Sequence, residues 1–229
     1  KEMQYLDNAY TLKSIRPADQ SEVKGCKEFI ATFNERLPLE IKGEGTYGVE
    51  DMNWTPTVHF KGNTIRNNRA RGALFSSPRR TVCEKNLFDH TSGSAIVLCG
   101  DCNGWYESGA CYDLVIRKNK FINALTNLFQ FTNAVISIYP EVPAISRQTK
   151  PLHGGKLSSI VIEKNLFDTF DTPLLYAKSV SGLRFINNKV VKNTDYQPFH
   201  FNQEPVLFEH TANSEAPGYQ PVKLQNTVK

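Results

Sequence analysis

The segment IVIEKNLF, Ile160–Phe167, decides the fold. Apolar side chains alternate along it, an Asn follows, and an apolar residue stands two positions on. Four other segments repeat the pattern: VHFKGNTI (Val58–Ile65), TVCEKNLF (Thr81–Phe88), LVIRKNKF (Leu114–Phe121) and LRFINNKV (Leu183–Val190). Their Asn residues are Asn63, Asn86, Asn119, Asn165 and Asn188, separated by 23, 33, 46 and 23 residues. A fixed period of this kind marks a repeat architecture. Forty-six is twice 23, so one repeat between Asn119 and Asn165 is expected to lack its Asn, with NAVISIYP (Asn133–Pro140) supplying its strand. Thirty-three is 23 with ten residues added.

A second short apolar run follows most of these Asn residues: GALFSS (Gly72–Ser77), SAIVLC (Ser94–Cys99), LFQF (Leu128–Phe131) and PLLYAKS (Pro173–Ser179). No long stretch carries a helical stripe. Short β-rich strands at a fixed period, with Asn at the bends, predict an all-β chain folded as a parallel β-helix, a solenoid of ~23-residue coils. Asn accepts left-handed corner geometry, and stacked Asn amides can bond from one turn to the next. An antiparallel sandwich would not explain why 23 recurs.

Residues 1–45 fall outside the repeat and read as the tail of a small appended β-module. MQYLDNAYTL, KEFIATF and LPLEI look like short strands within it. GEGTYG (Gly43–Gly48) marks the junction, and 46–229 form the solenoid, truncated at its N-terminal end. The stretch NSEAPGYQPVKLQNTVK is a final strand or a frayed end.

The 229 residues (25.9 kDa) suffice for a buried core. Hydrophobic content of 40% and charge of 22% exclude a disordered chain. The longest apolar runs, such as Ser94–Cys99, are too short to span a membrane. A net charge of +4 does not point to nucleic acid. The chain starts KEMQ, with no signal-peptide pattern, and reads as part of something longer. Five cysteines, Cys26, Cys83, Cys99, Cys102 and Cys111, make no complete disulfide set. Cys99-x-x-Cys102 has no second pair to complete a zinc site, so metal is not expected and buried thiols are.

The ten added residues fall in CGDCNGWYESGACYD, Cys99–Asp113. Repeat folds accept insertions at corners, where loops build binding faces. Trp105 and Tyr106 offer flat apolar faces with polar edges, suited to a sugar ring. Asp101 and Glu107 can accept hydrogen bonds from hydroxyls or move protons. NNRARG (Asn67–Gly72) brings Arg69 and Arg71, and FTNAVISIYPE (Phe131–Glu141) follows the loop, so a groove for an extended glycan is expected. The structural alternatives are plain. Trp105 can cap the core, Glu107 can pair with Arg69 or Arg71, and Asp101 can be a turn residue. Asp89, Asp113 and Asp168 read as turn acids, and His90 and His153 stand alone.

Taken together, NNRARGALFSSPRRTVCEKNLFDHTSGSAIVLCGDCNGWYESGACYDLVIRKNKF, TNLFQFTNAVISIYPE and TPLLYAKSVSGL resemble the α-1,3-galactosidases of glycoside hydrolase family 110. The likeness runs from Gly48 to Asn202. It implies a right-handed parallel β-helix and exo-removal of terminal α-1,3-linked galactose from blood group B or linear Galα1-3Gal chains. It also implies an inverting mechanism, no metal or organic cofactor, a galactose-terminated glycan as partner, and export from a Bacteroides-type cell. Inversion uses one carboxylic acid and one base about 6.5–9.5 Å apart. The resemblance carries Arg69, Arg71 and Trp105 over as a sugar-binding face, with Asp101 and Glu107 as catalytic candidates. An Asp-rich segment of the form DDxxNVHG, typical of the family, is missing here. The chain therefore resembles the carboxy-terminal part of such an enzyme, with further catalytic acids upstream of Lys1. Two other readings remain at this point: a glycan-binding protein without catalysis, and a polysaccharide lyase.

Overall fold

The computed structural model describes residues 2–4, 9–42, 47–102, 104–105, 107, 109–128, 132–155 and 157–224. They form two compact units, Tyr5–Val49 and a larger one of Lys1–Gln4 with Glu50–Lys229. In the smaller unit, β1 (Leu12–Pro17) and β2 (Phe29–Phe33) pair antiparallel. Glu35 ties the pair shut, accepting the Thr11 N–H at 2.6 Å and its hydroxyl at 2.8 Å. The strand expected over LPLEI is instead a 3-10 turn, Leu39–Lys42, because Ile41 N–H turns back to the Pro38 carbonyl. The strand expected over MQYLDNAYTL has only Leu12 in a strand, and its residues 5–8, like 43–46 of GEGTYG, lie outside the described residues.

The larger unit is built from repeats. The first gives β3 (Val58–Lys61), β4 (Thr64–Arg66) and β5 (Ala73–Phe75). The second gives β6 (Thr81–Glu84), β7 (Leu87–Asp89) and β8 (Ile96–Leu98). The third gives β9 (Leu114–Arg117), β10 (Lys120–Ile122) and β11 (Ile136–Ile138), with β12 (His153–Gly154) as an extra strand. The fourth gives β13 (Ile160–Glu163), β14 (Leu166–Thr169) and β15 (Leu175–Ser181). The fifth gives β16 (Leu183–Ile186), β17 (Lys189–Lys192) and β18 (Val206–Ala212), and β19 (Val222–Leu224) ends the series. First strands pair with first strands as β3-β6-β9-β13-β16, and second strands as β4-β7-β10-β14-β17. Third strands pair as β5-β8-β11-β15-β18-β19, with β12 lying on the far half of β15. All pairings within this unit's three sheets are parallel.

The right-handed parallel β-helix expected from the sequence, a solenoid of ~23-residue coils, is corrected by this topology. The architecture is an all-β, multi-sheet parallel sandwich, with separate sheets of five, five and seven strands. The spacing of 46 does not divide into two repeats either. The residues between Asn119 and Asn165 do not hide a repeat, because β9 pairs directly with β13 and β10 with β14. NAVISIYP supplies β11 of the third sheet rather than a strand of a missing coil. Phe129–Phe131 of the expected LFQF strand lie outside the described residues.

The core fills the space between the sheets. Cys83, Ile116, Ile162 and Phe185 of the first sheet, and Phe88, Phe121 and Phe167 of the second, are each at most 1% exposed. Phe88, Phe121 and Phe167 stack in sequence with ring centroids 5.2 and 4.9 Å apart. Ile96, Leu98, Ile136, Ile138, Leu175 and Ala177 close the third side.

The Asn residues do stack. Asn86 Oδ1 accepts both the N–H and the side-chain amide of Asn63, at 2.9 and 3.1 Å. Asn119 does the same for Asn86, Asn165 for Asn119, and Asn188 for Asn165. The left-handed residue at this corner is the one before each Asn: Gly62, Lys85, Lys118, Lys164 and Asn187, with φ of 67°, 56°, 54°, 55° and 55°. The Asn itself supplies the bonds that hold its neighbour there.

Asn119→Ala leaves the buried Asn86 donors and the Cys83 carbonyl unmatched, and is expected to cost on the order of 3 kcal/mol in urea unfolding. Asn63→Ala, at the exposed end of the column, is expected to cost roughly 1 kcal/mol or less. Beside the column, hydrogen bonds from Arg117 and then His59 hold the Glu84 carboxyl down at about 2. The stability this gives is present above pH 4.5, the ordinary value, and is lost as pH falls toward 2. Glu84→Gln should flatten the melting temperature across that window.

Candidate functional site

Arg71 stands two residues before β5, with Gly72 between. Its position depends on Gly72, whose Cα faces the Ala95 carbonyl and the Phe88 ring; a Cβ there would lie 2.6 Å and 2.7 Å from them. Cys99 follows β8, and its N–H donates to the Phe75 carbonyl. From the next strand, β11, Tyr139 N–H donates to the Leu98 carbonyl and Glu141 N–H to the Gly100 carbonyl, both at 2.9 Å. These bonds set Arg71, Cys99, Tyr139 and Glu141 side by side.

The Trp loop closes over them. Its two legs meet at an antiparallel bridge between Asp101 and Glu107. Gly100 is required beneath the loop, since a Cβ would sit 2.7 Å from the Gly109 carbonyl oxygen. The Asp101 carboxylate, 2% exposed, accepts the N–H groups of Gly104 at 2.8 Å and Trp105 at 2.7 Å. It fixes the loop tip as a turn acid does. Trp105 is not a core cap: its indole is 76% exposed. Glu107 accepts a hydrogen bond from the Cys99 thiol, and its expected pairing with Arg69 or Arg71 is absent from the ion pairs of the described residues. The loop leaves through buried Cys111, whose N–H donates to His153 Nδ1 at 3.0 Å. Burial holds His153 neutral, with its pKa near 3, as a structural acceptor.

Arg71, Asp101, Trp105 and Glu107 thus line one surface hollow, floored by Leu74 and Val97. Arg69 is exposed and stands outside it. Tyr106 lies outside the described residues. The hollow also takes in Cys99, Tyr139 and Glu141. In the sequence FTNAVISIYPE marks this region, but nothing in it singles out Tyr139 or Glu141. The register of β11 against β8, Ile138 opposite Leu98, is what carries Tyr139 to Cys99. Among the described residues no group of three His, Cys, Asp or Glu side chains could hold a metal ion. All five cysteines are free. No helix among the described residues is long and apolar enough to cross a membrane. The hollow combines a cation, carboxylates and an exposed aromatic face, which is chemistry for a polyhydroxylated ring.

Comparison with known proteins bears on that chemistry. No family model matches the chain. A Bacteroides fragilis protein named alpha-1,3-galactosidase B is 58% identical over 211 residues, 92% of this chain and 36% of that protein. The chain is homologous to alpha-1,3-galactosidase B. An Akkermansia muciniphila protein of the same name is 50% identical over 190 residues, 83% of this chain and 23% of its own length. An alpha-1,3-galactosidase A of Bacteroides fragilis is 40% identical over 190 residues, 82% of this chain and 30% of that protein. The chain spans about a third of the length of the galactosidase B relatives it matches most fully. The matched part of the Bacteroides fragilis galactosidase B includes the hollow, since over nine-tenths of this chain is aligned with it.

Burial first, and then the Glu107 hydrogen bond, push the Cys99 thiol up to about 12. Iodoacetamide at about pH 8 should therefore alkylate exposed Cys26 and Cys102 well before Cys99. Glu107→Gln removes the carboxylate that raises the thiol, so Cys99 alkylation should quicken. Peptide mapping by mass spectrometry after timed labelling reads both outcomes.

Proposed function

We propose that this chain is part of an exo-acting glycoside hydrolase that removes terminal α-1,3-linked galactose with inversion. The observation that carries the reading is the hollow itself. Separate segments bring Arg71, Trp105 and Glu107 to one place, and the Asp101 carboxylate rigidifies the loop that completes it. An indole left 76% exposed over a polar hollow is suited to stack on the apolar face of a galactose ring. The names and identities of the relatives support the same reaction. Glu107, half-buried and facing the hollow, is the carboxylate we assign to proton transfer, and Glu141 is the second carboxylate in reach of a bound sugar. Asp101 is held by two amides and is assigned a positioning role in the loop. Arg71 contributes hydrogen-bond donors to sugar hydroxyls.

The substrate we infer is a neutral chain ending in Galα1-3Gal or the blood group B determinant. Such glycans sit on secreted and surface molecules, and a reaction outside the cytoplasm is the reading we attach to this substrate. Residues 1–45 are read as an appended segment that takes no part in it. Its strand β1 is exposed at every position and β2 at four of five, so neither contributes a core face. A second reading, glycan binding without hydrolysis, is favoured by one fact: two backbone amides already occupy the Asp101 carboxylate.

Proton NMR of the chain with Galα1-3Gal separates the readings. β-Galactose as the first product is the expected result, and α-galactose first would overturn inversion. Shifted sugar signals without release would establish the binding reading instead. In the full-length enzyme, Glu107→Gln should lower kcat by about 100-fold or more with an unchanged melting temperature.

A further inference from the structure

Cys99 is held from both sides. Its N–H donates to the Phe75 carbonyl at the end of β5, and the carbonyl of the next residue, Gly100, accepts the Glu141 N–H beyond the end of β11. Leu98 before it belongs to the core, so the Cys99 side chain turns outward and lines the hollow. Glu107 reaches the same place from another direction. It stands on the far leg of the Trp loop, bridged to Asp101. The Cys99 thiol spans the two and donates to Glu107 Oε2. Among the described residues no other side chain bonds this carboxylate, and no cation pairs with it. Oε1 is left for a ligand in the hollow.

The kind of donor matters. An arginine in this place would favour the ionised carboxylate alone. A group that takes and gives a proton has to exist in both forms. A thiol suits both, since S–H donates weakly to a carboxylate and sulfur accepts weakly from a carboxylic acid. Burial first, and then Glu107 itself, push the Cys99 thiol up to about 12, so at neutral pH it remains a neutral donor. Asp101 cannot take over this task. Its carboxylate is committed to the N–H groups of Gly104 and Trp105, which fixes the loop backbone and not the Glu107 side chain. The thiol is therefore the contact that stops Glu107 from turning away. Orientation of this kind is worth having, because a misplacement of about 1 Å can cost on the order of 100-fold in rate.

We propose that Cys99 is a positioning residue for galactoside hydrolysis, its thiol holding the Glu107 carboxylate by Oε2 so that Oε1 stays aimed at the substrate. The proposal rests on the galactoside reading of the hollow and on Glu107 as its proton-transfer group.

The test is steady-state kinetics of the full-length enzyme on Galα1-3Gal. Cys99→Ala should lower kcat about tenfold, the worth of one hydrogen bond, with KM within about twofold and an unchanged melting temperature. Cys99→Ser restores a donor and should bring kcat back to within about threefold of the unmodified enzyme. Cys99→Ala added to Glu107→Gln should change kcat by less than about twofold, because the thiol acts only through that carboxylate. Should Cys99→Ala fail to fold by thermal melting, Cys99→Val, close in volume and without a donor, takes its place in both comparisons. An unchanged kcat in the donorless variant, a Cys99→Ser enzyme as slow as that variant, or the same tenfold loss in the Glu107→Gln background would overturn the positioning role and leave the galactoside reading intact. No release of galactose by the unmodified enzyme would overturn that reading and the positioning role with it.

Discussion

The hydrogen-bonded column of Asn63, Asn86, Asn119, Asn165 and Asn188 is the constraint on which the larger unit depends. The chain turns from the first sheet to the second in two residues at every repeat. So tight a corner puts a residue with a Cβ into the left-handed region four times, at a cost of roughly 1–2 kcal/mol each. Asn86, Asn119, Asn165 and Asn188 each offset that by accepting the backbone N–H and the side-chain amide of the Asn one repeat earlier, and by donating Nδ2 to a carbonyl of that earlier repeat's first strand. Both sheets are thereby locked in register, since a slip of one residue would break the column and turn the core phenylalanines outward.

A corner that cannot change length forces every insertion elsewhere. The ten residues added between Asn86 and Asn119 leave at the end of β8, and a long excursion carrying β12 leaves at the end of β11. These are neighbouring strands of the third sheet. Two long connections departing side by side from one edge enclose a space between them, and the hollow lies there. The second excursion is anchored as it returns: Gln148 accepts the Ser179 hydroxyl and donates to the Glu2 and Met3 carbonyls, and Leu152 N–H donates to Ser179. The site is therefore a by-product of where the Asn column allows the chain to grow.

This explains what could be read from the sequence. The strands around each Asn were legible because alternation and the Asn mark both sides of a fixed corner. The Trp loop was legible as a departure from a known length, and with it Arg71, Asp101, Trp105 and Glu107. The sheet arrangement was not, because a spacing of 46 is consistent with two short repeats or one long one, and the direct β9–β13 pairing and Asn119–Asn165 bond distinguish them. Tyr139 and Glu141 carried no local signal. Each is an ordinary outward residue of a strand, and its meaning comes from the residue opposite it one repeat away. The left-handed Lys85, Lys118 and Lys164 were hidden for a similar reason, since lysine gives no hint of such a backbone.

The charges along the third sheet narrow the ligand further. Glu107 and Glu141 face the groove with Asp101 beneath the loop, against one lining cation, Arg71. The chain as a whole is +4, so this groove is negative on a positive protein. An anionic glycan would be drawn to the protein at large and turned away from the groove. A neutral glycan meets no such penalty. It also finds both halves of its hydrogen-bonding capacity answered, with carboxylates accepting from its hydroxyls and Arg71 donating to them.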